Sequence, residues 1–334
     1  MSDNSPLVSV IIPLYNREQF LPQLFANLAQ QIYQNFELVL VDDGSTDGTE
    51  QWINQHKLIS GQPTVYLKQS NSGPYSARNR GLNIAMGKYI AFQDSDDEWP
   101  DYHLSEFVEA LEKYSNVDWL FGSLRRIEHG TGKIKEASNF IMKSGTTHPF
   151  IGLQNDKRGK INVINDVKAS ETAILHCVPG STQCALIRRT LFENNLFDDS
   201  YRTAYDRFFA IKAVMSGFTF AFVKNTHQIY HIHDSHISLV AGADANKLQK
   251  SAETMLKGYG ELLDLAKNQN ETDAIKHELA RVNAWELSIA LQQKQQYRQA
   301  SKAMFNAWRL QPKNLLYIKS FLVCLVKYAY YSFK

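Results

Sequence analysis

Asp94, Asp96 and Asp97 stand within four residues of one another, directly after the apolar run Tyr89-Ile90-Ala91-Phe92 and just before Glu98. Carboxylates this close repel one another strongly wherever water is scarce. Hard divalent cations such as Mg²⁺ relieve the repulsion by taking carboxylate oxygens while keeping positions open for substrate phosphates. A plain acidic turn that caps the next helix would use the same residues. What separates the two readings is the rest of the chain, because three further apolar runs also end in unusual chemistry. The first runs into Pro13-Leu14-Tyr15-Asn16 and the second into Asp42-Asp43-Gly44-Ser45. The third is followed by Asn71-Ser72-Gly73-Pro74, which leads to Arg78-Asn79.

The elements that must position these groups alternate in type. Leu7–Ile12, Phe36–Val41, Thr64–Leu67 and Lys88–Phe92 are short runs rich in Val, Ile, Leu and aromatics. Between them lie helical patterns, with Phe20, Leu24 and Leu28 at four-residue spacing, then Glu50–His56 and Ala77–Ala85. Near-continuous apolar strands joined by helices predict an α/β fold with a mostly parallel central sheet covered on both faces. Ligands of such sheets bind outside the carboxyl ends of the strands. Four separate segments therefore converge on one rim. From about residue 115 the alternation loosens, with a second strand and helix set at Cys184–Arg188, Tyr205–Ser216 and Phe218–Val223. After Ala241 the composition turns to Gln, Lys, Ala and Leu, so the expected organisation is a catalytic domain over 1–240 and a helical extension over 241–334.

A chain of 334 residues buries a sizeable core. Its 36 Lys and Arg against 34 Asp and Glu leave +2, a balance that argues against a nucleic-acid partner. Residues 1–6 lack the pattern of a signal peptide, and no apolar run reaches the length of a membrane span. Three cysteines (Cys177, Cys184, Cys324) form no CxxC pair, which suits a reducing compartment. The expected location is cytoplasmic, with the inner face of the plasma membrane as an alternative.

Four ordered segments carry a resemblance. Val8–Asn16, Val41–Thr49, Ala77-Arg78-Asn79-Arg80-Gly81 and Phe92–Asp97 are similar in order and spacing to the family 2 glycosyltransferases, over roughly residues 6–240. That family has the GT-A fold and is inverting, so the resemblance implies a nucleotide-diphosphate-sugar donor and a divalent cation, Mn²⁺ or Mg²⁺. Carried over residue by residue, it places Pro13, Tyr15 and Asn16 in the loop around the nucleotide. It assigns Asp43 to the hydrogen bond with the pyrimidine base and Arg78 to the neighbourhood of base and diphosphate. Asp94 and Asp96 match the ends of the DXD motif, Asp96 binding the cation and Asp94 facing the ribose and the metal. A carboxylate reads an imide N–H, and a guanidinium suits phosphate. Asp42 and Asp47 are expected to hold the turn and cap the helix beside Thr46.

An inverting transfer needs a general base for the acceptor hydroxyl. The family usually provides the Asp of a Glu-Asp pair opening a helix, soon after a Phe-Asp-Glu turn. Here Phe197-Asp198-Asp199 is followed by Tyr205-Asp206, so Asp206 takes the base position and Tyr205 replaces the usual Glu. The end of the catalytic domain resembles Tyr230-His231-Ile232-His233, with His233 at the position that approaches the metal or diphosphate. The same stretch fits HxHxxH through His236, the zinc spacing of a metallohydrolase, but nothing else supplies that enzyme's remaining ligands. His231 and His236 are expected to be ordinary loop residues. Pro179-Gly180-Ser181-Thr182-Gln183 occupies the place of the family's acceptor-side loop, or is a plain turn.

Residues 281–312 read as a helical hairpin, with Tyr297, Ala300, Met304, Ala307 and Pro312 at the positions of a tetratricopeptide-like unit. Leu315–Tyr328 is strongly apolar with a basic, aromatic end. Two readings stand for 315–334: a buried packing helix, or an interfacial anchor where lipid-linked acceptors are found. The expected function is an inverting, metal-dependent transfer of a sugar, from a UDP-sugar first of all, to a glycan or lipid-linked acceptor in surface polysaccharide or lipopolysaccharide assembly. The alternatives are a nucleotide-sugar-binding protein without catalysis, against which Asp94, Asp96 and Asp206 argue together, and the metallohydrolase. The sugar, the acceptor and the oligomeric state are not legible.

Overall fold

The computed structural model describes residues 7–56, 61–180, 182–232 and 244–332. Strand β1 (Val8–Leu14) and strand β2 (Phe36–Asp42) consist almost wholly of residues with no solvent exposure, as befits strands covered on both faces. Around them run helix α1 (Leu21–Ala29), helix α2 (Thr49–His56), strand β3 (Thr64–Lys68), helix α3 (Pro74–Ile84) and strand β4 (Tyr89–Phe92). Helix α4 (His103–Lys113) then leads to strand β5 (Trp119–Glu128) and the short strand β6 (Ile134–Glu136). Strands β7 (Asn155–Arg158) and β8 (Ile161–Ile164), helix α5 (Ala169–His176), strand β9 (Ala185–Arg188), helix α6 (Tyr205–Ser216) and strand β10 (Phe220–Ile232) follow.

Among the described residues the ten strands form one sheet in the order β3-β2-β1-β4-β9-β5-β10-β8-β7, with β6 alongside β5. β1 pairs in parallel with both β2 and β4, and β2 with β3. The strand order therefore reverses at β1, and the carboxyl ends of β1 and β4 form the switch point outside which ligands of such sheets bind. β9 is antiparallel between β4 and β5, while β10 returns parallel to β5. This is the α/β architecture with a mostly parallel sheet that the alternation of apolar runs predicts.

The differences have physical reasons. β10 is 13 residues long, where the apolar pattern suggests only Phe218–Val223. Its second half pairs Gln228–Ile232 with Leu124–Glu128 of β5 after register shifts around Thr226, so ladder pairing rather than side-chain burial extends it. β7 reads Asn-Asp-Lys-Arg and lies at the sheet's edge, where charged residues protect the free ladder and erase the strand signal. Helix α3 starts earlier than Ala77, at Pro74, because Gly73 takes a φ of 97° and Pro suits the first helical turn.

The chain divides into two compact units, Met1–Ala169 with Val178–Asp234, and Ser170–Cys177 with Ser235–Lys334. The boundary expected at 240 falls outside the described residues. In the second unit helix α7 (Ala245–Leu263), helix α8 (Gln269–Val282), helix α9 (Ser288–Gln293), helix α10 (Tyr297–Leu310) and helix α11 (Leu315–Ser332) follow one another. Ala280, Ala284, Met304, Ala307, Tyr317 and Cys324 make its core. Most of α5 belongs to this unit, where the Tyr259 hydroxyl donates to the Ile174 carbonyl at 3.3 Å.

Helix α3 lies close against β1. A Cβ on Gly81 would stand 2.5 Å from Cγ2 of Ile11, well inside contact distance. Gly81→Ala should therefore lower stability by about 1–3 kcal/mol. In an Ile11→Ala background the clash is gone, and the same change should raise stability by roughly 0.5–1 kcal/mol through helix propensity. A urea-denaturation cycle reads the sign change. An equal effect in both backgrounds would reject the contact.

Candidate active site

The acidic turn after β4 is held from three sides. Asp97 accepts from Gln228 Nε2 at 2.5 Å and from the His231 amide at 3.2 Å, both on β10. Glu98 exchanges backbone hydrogen bonds with Ile229. Asn27 of α1 donates to the Trp99 carbonyl at 2.7 Å and accepts from the Trp99 amide at 3.0 Å. The Trp99 indole N–H donates to the Gln183 carbonyl at 2.8 Å. Desolvation pushes the Asp97 carboxyl well above the usual range, and the charges of Asp96 and Asp94 add to it.

Asp94 and Asp206 meet on one guanidinium. Arg78 is 3% exposed; its Nη1 donates to Asp206 at 2.5 Å and its Nη2 to Asp94 at 3.0 Å. Its carbon centre lies 5.5–5.8 Å from the rings of Tyr75, Phe92 and Phe197. Burial lowers the affinity of that guanidinium for its proton, but the carboxylates more than reverse the effect, so Arg78 stays charged. Desolvation raises Asp94 above its ordinary range against the opposing pull of Arg78, and Asp96 and Asp206 raise it further. Asp94 also accepts from Gln183 Nε2 at 2.9 Å.

Asp206 lies in the first turn of α6, entered through Ala204 at a left-handed φ of 65°. Besides Arg78 it accepts from the Thr182 hydroxyl at 2.9 Å and the Tyr75 hydroxyl at 3.0 Å. Tyr75 in turn accepts from the Tyr205 amide at 2.8 Å. Burial and the Asp206 charge drive the Tyr75 phenol well upward, so it donates rather than ionises.

The other predicted residues fall on the same rim. Asp43 is buried and accepts from Gln69 Nε2, the Ser72 amide and the Gly73 amide at 2.7–2.8 Å. Three of the roughly four acceptor positions of a carboxylate are thus used, which leaves one. Asn16, at φ 53°, accepts from the Thr46 amide at 2.8 Å, and its own amide donates to Ser45 Oγ at 2.9 Å. Pro13 pairs with Val41 in the sheet, and Tyr15 is 43% exposed beside it in the chain. Asp42 accepts from the Ser45 amide and the Tyr66 hydroxyl, and Asp47 from the Thr49 amide, the local roles expected of them.

Asp96 has the Arg17 guanidinium 3.8 Å away. His233 and His236 lie outside the described residues, and His231 Nε2 is 3.1 Å from Glu98. Among the described residues no three His, Cys, Asp or Glu side chains gather as a complete ligand set. Asp94 and Asp96 nevertheless suit a hard divalent cation, because they are oxygen donors two positions apart in one turn, and Asp94 is a carboxyl whose ionisation burial disfavours. Such an ion takes its remaining ligands from phosphate and water.

Sequence reasoning missed Tyr75, Arg17 and the specific roles of Thr182 and Gln183. Tyr75 stands three positions before Arg78 on α3, the spacing at which helical side chains share a face. Thr182 and Gln183 were inside the loop singled out, but only the packing of Trp99 turns that loop toward both aspartates.

A family model described as glycosyl transferase family 2 matches residues 9–196, more than half of the chain. The chain belongs to that family. TuaG of Bacillus subtilis, named for teichuronic acid biosynthesis, is 37% identical over 115 residues, 34% of this chain and 46% of its own length. A glycosyltransferase of Haemophilus influenzae is 46% identical over 94 residues, 28% of this chain and 38% of its own. The family 2 chain thus spans less than half the length of these relatives. Its fold is similar to that of S. aureus TarS 1–349 in complex with UDP-GlcNAc, with a TM-score of 0.64 at 20% identity, covering 91% of this chain and 81% of that one. The mannosyltransferase PcManGT of Pyrobaculum calidifontis, in complex with GDP-Man and Mn²⁺, gives 0.56 at 17% identity, covering 97% and 87%.

Removing the buried cation tests the arrangement. Arg78→Met should cost on the order of 3 kcal/mol at neutral pH, because it leaves two carboxylates facing each other unpaired. Asp94 is already raised by desolvation and loses the opposing pull of Arg78 in that variant, so the folded form binds more protons there than the unfolded one. The deficit should appear as pH rises through the folded values and shrink as pH falls toward the unfolded ones. Urea titrations across acid to neutral pH measure it, and a pH-independent deficit would count against the account.

Proposed function

We propose that this family 2 chain is an inverting glycosyltransferase that moves a sugar from a nucleoside-diphosphate sugar to a hydroxyl of a glycan or lipid-linked acceptor. The observation that supports the reading is the convergence of Asp94 and Asp206 on Arg78, two carboxylates from distant segments on one buried cation. The donor class is supported by the sugar nucleotides named with TarS and PcManGT. Asp43 has one acceptor position for a pyrimidine imide N–H, which suits UDP and would also accept dTDP. Pro13, Tyr15 and Asn16 line the loop beside it. The name of TuaG supports cell-surface polysaccharide as the setting. The reading extends to the cytoplasm, with attachment to the inner membrane face through residues 315–334.

The chain's own residues divide the work. Among the described residues Asp206 Oδ1 takes two donors, Arg78 and Thr182, whereas Oδ2 takes Tyr75 alone. Oδ2 is therefore the oxygen with room for the acceptor's hydroxyl proton. As that proton moves to Asp206, the acceptor oxygen bonds to the anomeric carbon from the face opposite the diphosphate. The bond from that carbon to the phosphate oxygen breaks, and the nucleoside diphosphate leaves with the electron pair. Asp94 and Asp96 would hold Mn²⁺ or Mg²⁺, with His233 as the remaining candidate; the ion offsets the negative charge of the departing diphosphate. Thr182, Tyr75 and Arg78 fix the base, and Gln183 orients Asp94.

Two substitutions separate the roles. Asp96→Ala should nearly abolish UDP release from a UDP-sugar and remove any Mn²⁺ dependence of nucleotide binding, with the fold unchanged by circular dichroism. Full parental turnover in excess EDTA would overturn the metal assignment.

Asp206→Asn preserves shape and removes basicity, so kcat should fall on the order of 10²–10⁴. Calorimetry with UDP should show donor affinity nearly unchanged. If the variant transfers sugar at the parent rate, Asp198 or Asp199 becomes the candidate base.

A further inference from the structure

Helix α11 is apolar on two opposite faces. Tyr317, Phe321 and Cys324 turn inward to the core of the second unit, against Met304, Ala307 and Trp308. The opposite face carries Leu315, Leu322, Val323, Val326 and Tyr330, which share one side of an ideal helix at spacings of three, four and seven. Leu315 is 76% exposed and Val326 70%, values at which a large aliphatic side chain is almost wholly in water. A helix that is hydrophobic all round is normally buried all round. This one leaves Leu315, Leu322, Val323, Val326 and Tyr330 each 49–76% exposed along one side, a contiguous stripe rather than scattered surface hydrophobics.

Charge identifies what covers it. From Leu287 to Lys334 the chain carries eight Lys or Arg and no Asp or Glu, although the whole chain has a net charge of only +2. Lys319 stands in the middle of the exposed apolar face, where its stem can lie along Leu322 and Val323 while the ammonium reaches outward. Toward the helix's end Tyr297 and Tyr331 stack at 4.5 Å, and with Arg298 and Tyr328 they border a surface recess. Tyrosines and basic groups bordering an aliphatic stripe match the headgroup level of a bilayer. A second copy of the same surface would bring like charges together, which disfavours self-association. No helix among the described residues is long and apolar enough to cross a membrane.

We propose that the exposed face of α11 is an interfacial docking surface for an anionic phospholipid leaflet, with the helix lying in the membrane plane. The aliphatic residues enter the acyl boundary, and the excess of Lys and Arg reads the leaflet's negative charge. This deepens the membrane attachment proposed above, yet its evidence and its test do not pass through the donor site.

The full chain is tested by flotation with vesicles of phosphatidylcholine, alone or mixed with phosphatidylglycerol. Binding should be confined largely to the anionic vesicles and weaken with salt. Leu322→Glu with Val326→Glu should reduce it roughly tenfold or more, and Arg298→Glu with Lys319→Glu should remove its salt-sensitive part. All four side chains face solvent, so circular dichroism and UDP binding should match the parent. Hydrogen exchange of the parent should show new protection over 315–332 on vesicles. Absent binding to anionic vesicles, parental binding by the Leu322/Val326 variant, or an α11-dependent dimer in sedimentation without vesicle binding would each overturn the proposal. Loss of UDP binding in the parent with intact vesicle binding would instead count against the donor reading alone.

Discussion

A guanidinium removed from water cannot give up its charge, and much of the first unit is arranged around that fact. Arg78 comes from α3, and its two carboxylate partners lie 16 and 128 residues further along the chain. Leaving it unpaired would cost far more than a surface ion pair is worth. The first turn of α6 and the turn after β4 must therefore both reach it, and three aromatic rings fill the remaining space. The consequence is that Asp94 and Asp206, the proposed donor-side carboxylate and the proposed base, share one electrostatic centre. Charge that develops near Asp94 is felt at Asp206 through a single residue.

The same economy holds the acidic turn. Four acidic residues in five positions would splay apart if each faced water alone. Instead Asp97 turns inward to Gln228 and the His231 amide, and Glu98 joins the β10 ladder. Asp94 meets Arg78, and Asp96 has Arg17 3.8 Å away. The unusually long β10 has its explanation here, since its polar second half contributes little to the core but clamps this turn.

In the first half of the fold β1, β2 and β4 were legible because they are buried on both faces and their residues say so without ambiguity, while the edge strand β3 showed through its Val, Tyr and Leu. Asp43, Asp94, Asp96 and Asp206 could be singled out as candidates because short spacings and ordered segments mark them. Tyr75, Thr182, Gln183 and Arg17 were not, since their roles come from contacts across long stretches of chain that periodicity does not encode. The Tyr75 hydroxyl reaches an aspartate 131 positions away. Neither β5 nor β7 was read as a strand; β7 and the polar second half of β5 carry no hydrophobic pattern because edge and ladder positions tolerate polar residues, whereas the buried first half of β5 was overlooked.

The placement of α5 in the second unit has a kinetic side. Ile174 leaves the ribosome 85 residues ahead of Tyr259, its hydrogen-bonding partner. At about 5–20 residues per second that interval is several seconds, long compared with the folding of a small helical bundle. Through that interval α5 must wait with its packing face uncovered, while the strands on either side of it in sequence are already able to pair. Synthesis thus reaches a stage at which most of the sheet is present and one helix is still without its neighbours.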